Sequence, residues 1–465
     1  MKKLLLAIVC LLLLLLGGAA VWWLFCTGDK ARDVVPADAT AALVFHPFEF
    51  IREIGLTPGD IGQLASSGGK RWSHAVNLTK PVYAFAQEDG MCGVAVNVKD
   101  AGILLGLLHS YGFASEEAQG LHWVTNGSTI GCIDSDKMLV SAAPSAMRQD
   151  SLRSRMARLM AQGSHDVPLM QNMQGQKGAL KFCSTLACLP EALSSTLPDG
   201  TDASEAYLNA ALRAEGRNVT LTASVQPTLS LPLAPICGDL AGMQPAEPFL
   251  WLCCGMKGEQ LLGLLRDMPK VRMALLGLNM IIDADMIIKA IDGDVTLAIP
   301  RADAGSTDFL LTATLAGTDF LRNADEWQGR ASVRLGKRGP ADYVLRADDY
   351  DTEAYFGVRD GRLYVASSAE MADIAMKRAG ENALQETANG KYLCGSVDIG
   401  QLLGAYPDAL DVLQALPCLR ETADALQRIT LSSESPGSVE LKLETDKPIK
   451  DIFLNTWKLV AGRNE

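Results

Sequence analysis

Hydrophobic and polar positions divide the chain into two unlike parts. From Leu4 to Cys26 no charged residue occurs, and Leu11 to Leu16 are consecutive leucines. As a helix rising 1.5 Å per residue, this run extends roughly 34 Å, enough to cross a ~30 Å hydrocarbon core with some tilt. Beyond it, apolar runs shorten to strand length and are rich in Val, Leu and aromatic residues. Turn dipeptides punctuate them: Asp89-Gly90, Asn126-Gly127, Asp292-Gly293 and Asp360-Gly361. Such pairs accept positive φ and favour hairpins. Helical stretches follow pairs of strands rather than every strand. The pattern therefore predicts an α+β fold, antiparallel sheets covered by helices, over a doubly wound parallel sheet.

The order of these runs recurs at an offset of roughly 210 residues. Pro36-Ala37-Asp38 opens the strand Ala41–Phe45 and a helix-like stretch, Phe48–Ile54; Pro245-Ala246-Glu247 opens Phe249–Cys254 and Gly258–Met268. Pro81–Phe85 matches Asp294–Ile299, and each precedes a second strand (Gly93–Val98; Phe309–Leu315) and an Asp-started helix (Asp100–Leu108; Asp319–Trp327). Asp136–Ala142 aligns with Asp360–Ala366, and Gly178–Cys183 with Gly390–Cys394. Val219–Val225 and Val439–Glu444 close the two series. Between them lies a Pro-rich stretch, Gln226–Pro248, where missing ladder donors disfavour regular structure. The expected organisation is two tandem duplicated halves after one N-terminal transmembrane helix. Residues 1–26 form the anchor, 27–35 a linker, 36–225 the first α+β half, 226–248 the connection and 249–465 the second half.

Charge orients the anchor. Lys2 and Lys3 precede the apolar run, whereas Asp29, Lys30, Arg32 and Asp33 cancel after it. That asymmetry keeps the N-terminus in the cytoplasm and sends the body across. Trp22 and Trp23 then fall where an aromatic pair would sit at the outer interface. Two rival readings, cleavage after Gly18-Ala19-Ala20 and lipidation of Cys26, also place the body on the periplasmic, non-cytoplasmic side. The chain carries 42 Lys+Arg against 54 Asp+Glu, a net charge of −12. A polyanion is repelled on average, which excludes nucleic acid as a partner unless a local basic patch overrides the field. The densest basic stretch is Arg148, Arg153, Arg155 and Arg158, interleaved with Leu152, Met156, Leu159 and Met160. It reads as the solvated face of an amphipathic helix.

No Cys-x-x-Cys pair occurs among the 11 cysteines, so zinc-ribbon and thioredoxin readings fail. Cys92, Cys132, Cys183, Cys253, Cys254 and Cys394 fall in apolar runs and read as small buried hydrophobes. There is no Gly-x-Ser-x-Gly elbow, no His-Glu-x-x-His and no Gly-x-Gly-x-x-Gly opening a helix. No catalytic set and no cofactor are expected. The strongest polar constellation is Asp283, Asp285, Asp292 and Asp294. Carboxylates converging from both ends of a short helix could bind a cation or share a proton. The structural alternative has Asp283 or Asp285 capping a helix over Met286–Ile291 and Asp292-Gly293 turning into the next strand.

The stretch LNMIIDADMIIKAIDGDVTLAI (Leu278–Ile299), supported by Phe309–Trp327, Tyr355–Ser368 and the opening Val35–Phe45, resembles a family of Bacteroidetes envelope proteins. Many members are predicted lipoproteins, and the family is catalogued as a domain of unknown function. The resemblance implies a non-cytoplasmic location and implies no activity. The leading expectation is a membrane-anchored, non-catalytic interaction or scaffold protein with an envelope protein partner. The alternatives are a binding module for a small hydrophobic or glycan ligand between the two halves, and a hydrolase whose site is not visible in sequence.

Overall fold

The computed structural model describes residues 29–64, 70–142, 149–163, 165–189, 202–228, 232–238, 240, 244–245, 248–280, 282–301, 308–327, 333–347, 352–376, 383–405 and 424–461. The stretch expected to form an anchor, with Trp22, Trp23 and Cys26, lies outside these residues, as does Arg148. Among the described residues no helix is long and apolar enough to cross a membrane.

The chain opens with β1 (Ala41–Phe45), α1 (Pro47–Ile54), α2 (Pro58–Leu64) and α3 (Lys70–Ala75), then β2 (Val82–Ala86), β3 (Cys92–Asn97) and α4 (Ala101–Ser110). The meander β4 (Ala114–Ala118), β5 (Leu121–Asn126), β6 (Thr129–Ile133) and β7 (Lys137–Ala142) follows. Next come α5 (Gln149–Ala161), α6 (Pro168–Asn172), β8 (Leu180–Thr185) and the long hairpin β9 (Tyr207–Glu215) and β10 (Asn218–Gln226). A short strand, β11 (Leu233–Ala234), precedes β12 (Leu250–Lys257), three helices α7 (Gly258–Asp267), α8 (Pro269–Asn279) and α9 (Ala284–Ala290), and strands β13 (Ile291–Ile299) and β14 (Leu310–Leu315). A 3-10 segment, Asp319–Trp327, leads to β15 (Val333–Gly339), β16 (Asp342–Ala347), β17 (Thr352–Arg359) and β18 (Arg362–Ala366). The chain ends with α10 (Ala369–Met376), α11 (Ala383–Ala388), β19 (Leu393–Asp398), α12 (Ile399–Ala405), β20 (Leu426–Ser433), β21 (Ser438–Thr445) and α13 (Ile449–Ala461).

The protein is thus mixed α+β, with one large antiparallel sheet. Its ladders run β4-β5-β6-β7-β3-β2-β1-β8-β9-β10, cross to β21, and continue β20-β19-β12-β13-β14-β18-β17-β16-β15. β11 pairs with β12 beside this path. Local chemistry accounts for many boundaries. Asp100 caps α4, its carboxylate accepting from Ile103 N at 2.9 Å. Asn126-Gly127 and Asp360-Gly361 turn the hairpins β5–β6 and β17–β18, with Gly127, Asp360 and Gly361 at φ of 61°, 51° and 73°. Asp292-Gly293 behaves differently. Both residues lie inside β13, whose ladder shifts register between Ile291 and Val295, so the dipeptide makes a strand irregularity rather than a turn.

One sheet face is covered by α5 and α6 over a core of Ala42, Val44, Phe85, Leu139, Leu152, Met156 and Cys183. The apolar stripe read on α5 is the buried one, and two of its basic residues are paired: Arg153 with Glu116, and Arg155 with Asp89. A second core gathers Ile51 and Ile54 of α1, Leu64, Trp72 and Leu104 with Ile452, Phe453 and Trp457 of α13. α8 departs from the pattern of buried apolar stripes: Met273 and Leu276 are 67% and 56% exposed, and Met280 just after the helix is 78% exposed.

Of the cysteines read as buried, Cys132, Cys183, Cys253, Cys254 and Cys394 are so, but Cys92 at the rim of β3 is exposed. Burial pushes the Cys132 and Cys183 thiols up to about 12, and a thiol that holds its proton is a poor nucleophile. In native protein, iodoacetamide is expected to label Cys92, Cys188 and Cys237, which are exposed. The five buried thiols should react only in denaturant. Peptide mass spectrometry reads both sets, and native labelling of Cys132 would contradict the core as described.

Candidate functional site

The antiparallel ladder between β10 and β21 joins the N-terminal strands to the C-terminal ones, with Asn218 opposite Glu444 and Ser224 opposite Ser438. Its two strands alternate through the paired stretch. Leu221, Ala223, Val225, Val439 and Leu441 point to one face, and Thr222, Ser224, Ser438 and Glu440 to the other. Register extends the polar face sideways, since Asn209 on β9 opposes Ser224, and Ser432 on β20 opposes Glu440. Farther out on either side the same face becomes apolar and is filled, through Cys183 and Ala42 in one direction and through Cys394, Cys253 and Trp251 in the other. The polar centre is left between two filled cores.

A cavity of about 310 Å³ lies over this centre, lined by Gln176, Asn209, Thr222, Ser224, Ser432, Ser438, Glu434 and Glu440 among others. Asn209 is only 2% exposed, and neither its amide oxygen nor its amide nitrogen has a hydrogen-bond partner. The Gln176 amide is in the same condition at both atoms. Gln176 reaches this position because the chain just after it passes tightly against β9. At Gly178, with φ of 139°, a Cβ would stand 2.6 Å from Leu212 O.

Gln176 also lines a second cavity, of about 530 Å³, beside the first. Its walls are charged: Glu49, Arg52 and Glu53 from α1, Lys177 and Lys181 at the entry to β8, and Arg213 and Glu215 at the end of β9. Arg213 pairs with Glu215 at 2.6 Å. Glu53 accepts a hydrogen bond from Ala214 N at 3.2 Å, and burial raises its pKa above the ordinary carboxylate value. Nearby His46 is lowered, first by burial and further by Lys181 among its charged neighbours.

The four aspartates singled out in the sequence are not brought together. Asp283 occupies the position before α9 without capping it, and instead accepts from Trp327 Nε1 at 3.2 Å. Asp285 is held by Arg266 and by Asn279 Nδ2 at 2.9 Å, and the Asn279 bond is the chief cause of its lowered pKa. Asp292 is exposed on β13 opposite Lys257. Asp294 is 1% exposed and accepts from Cys237 N and Gly238 N, each at 2.8 Å, fastening the connecting segment onto β13. Among the described residues no three His, Cys, Asp or Glu side chains are grouped as metal ligands.

Asn209 and Gln176 carry no signal in the sequence that separates them from ordinary polar residues. The alternation in Asn218–Gln226 and Ser438–Thr445 marks half-buried strands with one polar face. That these two strands, more than 200 residues apart, build a single floor follows only from their pairing.

No protein-family model matches the chain, and no curated protein sequence matches it. Among solved structures, the chain is similar to crystal forms of a protein titled TP0453. Form IV is 15% identical with a TM-score of 0.28, covering 42% of this chain and 79% of that one. Form I is 16% identical at a TM-score of 0.28, covering 44% and 80%. Likeness at this level carries neither fold details nor function across.

Proposed function

We propose that this chain is a membrane-tethered envelope protein, built of two tandemly duplicated halves, that binds a hydroxyl-rich ligand of glycan type at the junction between them. The cavity over the polar sheet centre, with the buried and unpartnered Asn209 amide, carries this reading. A buried amide without a partner costs about 1–3 kcal/mol. Sugar hydroxyls both donate and accept, so one ligand can satisfy the amide oxygen and nitrogen together. The volume sits at the lower end of the ~300–1,000 Å³ found for ligand sites. Binding of this kind needs no catalytic group.

The duplication is supported by connectivity. Outward from the joining ladder, one side reads β10, β9, β8, β1, β2, β3, β7, β6, β5, β4. The other reads β21, β20, β19, β12, β13, β14, β18, β17, β16, β15. Each strand of the first series has its counterpart in the second at the same place in chain order. A ligand site on the pseudo-twofold between two such copies is a natural consequence of joining them edge to edge. The tether rests on the uncharged run Leu4–Cys26 behind Lys2 and Lys3.

The test is native mass spectrometry of full-length protein purified from its own envelope in mild detergent, beside an Asn209→Leu variant. A retained saccharide mass that the variant loses is the expected result. A stoichiometric protein mass in its place returns the scaffold reading. A bare chain that also shows no melting shift with neutral or acidic oligosaccharides sinks the ligand reading.

A further inference from the structure

We propose that the charged cavity beside the junction takes an anionic group of the same ligand, so that the ligand is an acidic glycan carrying carboxylate or phosphate. This inference rests on the glycan reading and narrows it. The two cavities are adjacent along β9: Asn209 and Ala211 line the first, Arg213 and Glu215 the second, and Gln176 lines both. An extended ligand lying along that strand would therefore meet hydroxyl and amide groups first and charged groups next.

The charges are unevenly committed. Arg213 and Glu215 satisfy each other, and the Glu53 carboxylate is engaged by Ala214 N. Its burial-raised pKa also weakens its standing as a counter-charge. Arg52, Lys177 and Lys181 have no carboxylate within ion-pair distance among the described residues, leaving Glu49 as the one nearby anion outside a contact already named. Three cations from two chain segments, α1 and the approach to β8, thus line one cavity. Guanidinium and ammonium groups in such a setting recognise planar carboxylates and tetrahedral phosphates by charge-assisted hydrogen bonds. The placement is notable against a chain of net charge −12, whose overall field repels anions and leaves attraction to a local cluster. The Gln176 amide, buried and unpartnered, stands at the point where a ligand would pass between the cavities.

Isothermal titration of full-length protein in mild detergent tests this with three probes: a linear neutral glucan hexasaccharide, hexagalacturonate, and a phosphorylated hexasaccharide. The expected result is acidic binding at least about tenfold tighter than neutral, with the preference shrinking as salt rises. Competition by inorganic phosphate, and the ranking of the two acidic probes, distinguish a phosphate-bearing source from a uronic one. The Arg52→Gln/Lys181→Gln double variant should lose the preference while keeping its affinity for the neutral probe. Equal affinity for neutral and acidic probes overturns this inference and leaves the glycan reading standing. Binding of none of the three overturns both. A variant that melts normally yet keeps the acidic preference overturns the assignment to this cavity.

Discussion

Replacing Trp457 with alanine is expected to lower unfolding free energy by about 4 kcal/mol, within the range for emptying a buried Trp site. Trp457 is 4% exposed and lies in α13, the last helix of the chain, yet its core partners come from the beginning. Phe453 meets Phe50 of α1 edge-on at 5.6 Å between centroids. Ile449 and Ile452 join Ile51, Ile54 and Leu64 in the same cluster. The C-terminal helix therefore closes the core of the N-terminal strands, and its loss opens that core. By contrast, Lys450→Ala removes the 3.4 Å ion pair with Asp60 and should cost about 0.5 kcal/mol, as partly exposed pairs do. Urea titration followed by tryptophan fluorescence and circular dichroism gives both numbers. A Trp457→Ala protein as stable as the parent would mean that α13 does not complete the first core.

The second large effect is expected at Gly258, the first residue of α7. A Cβ there would stand 1.8 Å from Ile288 O and 2.8 Å from Ile291 O. Both are main-chain oxygens, of α9 and of the start of β13, so no side chain can swing aside. Gly258→Ala must push α7 away from α9, and overpacking against backbone should cost about 3 kcal/mol. Five residues along the same helix, Gly263 has nothing within 4 Å of its would-be Cβ. Gly263→Ala should stabilise by about 0.5–1 kcal/mol, because alanine gives up less backbone entropy in a helix interior. Opposite signs from the same substitution in one helix are the outcome to look for in thermal melts. Equal effects would mean that α7 does not lie against α9 as described.

The site shows how far a sequence can be followed. The acidic constellation was the most conspicuous chemistry in the chain, and the fold spends its members separately. Asp283 serves an indole, Asp285 an arginine and an amide, and Asp294 two backbone N–H groups. Nearness along the chain does not survive here because α9 ends at Ala290 and β13 begins at Ile291, which turns the two pairs of carboxylates onto different elements. Arginines of the amphipathic α5 are likewise met from elsewhere in the chain, Arg153 by Glu116 of β4 and Arg155 by Asp89 in the turn between β2 and β3. Of the cations that do share a cavity, Arg52 lies more than 100 residues from Lys177 and Lys181.

Several features were legible before any coordinates. Alternation of apolar and polar residues and the hairpin dipeptides Asp89-Gly90, Asn126-Gly127 and Asp360-Gly361 specify antiparallel strands, because period two and positive φ are local properties of the chain, although Asp292-Gly293 falls inside β13 instead. The spacing of Leu152, Met156, Leu159 and Met160 specified the buried side of α5, because helical period is equally local. Pairing between distant strands is not. Only tertiary structure set β10 against β21, turned their polar sides onto one cavity, left Asn209 without a partner and carried α13 back to α1. Each of these depends on which edges and apolar faces meet in three dimensions, and a one-dimensional pattern records that an edge or face exists without recording its mate.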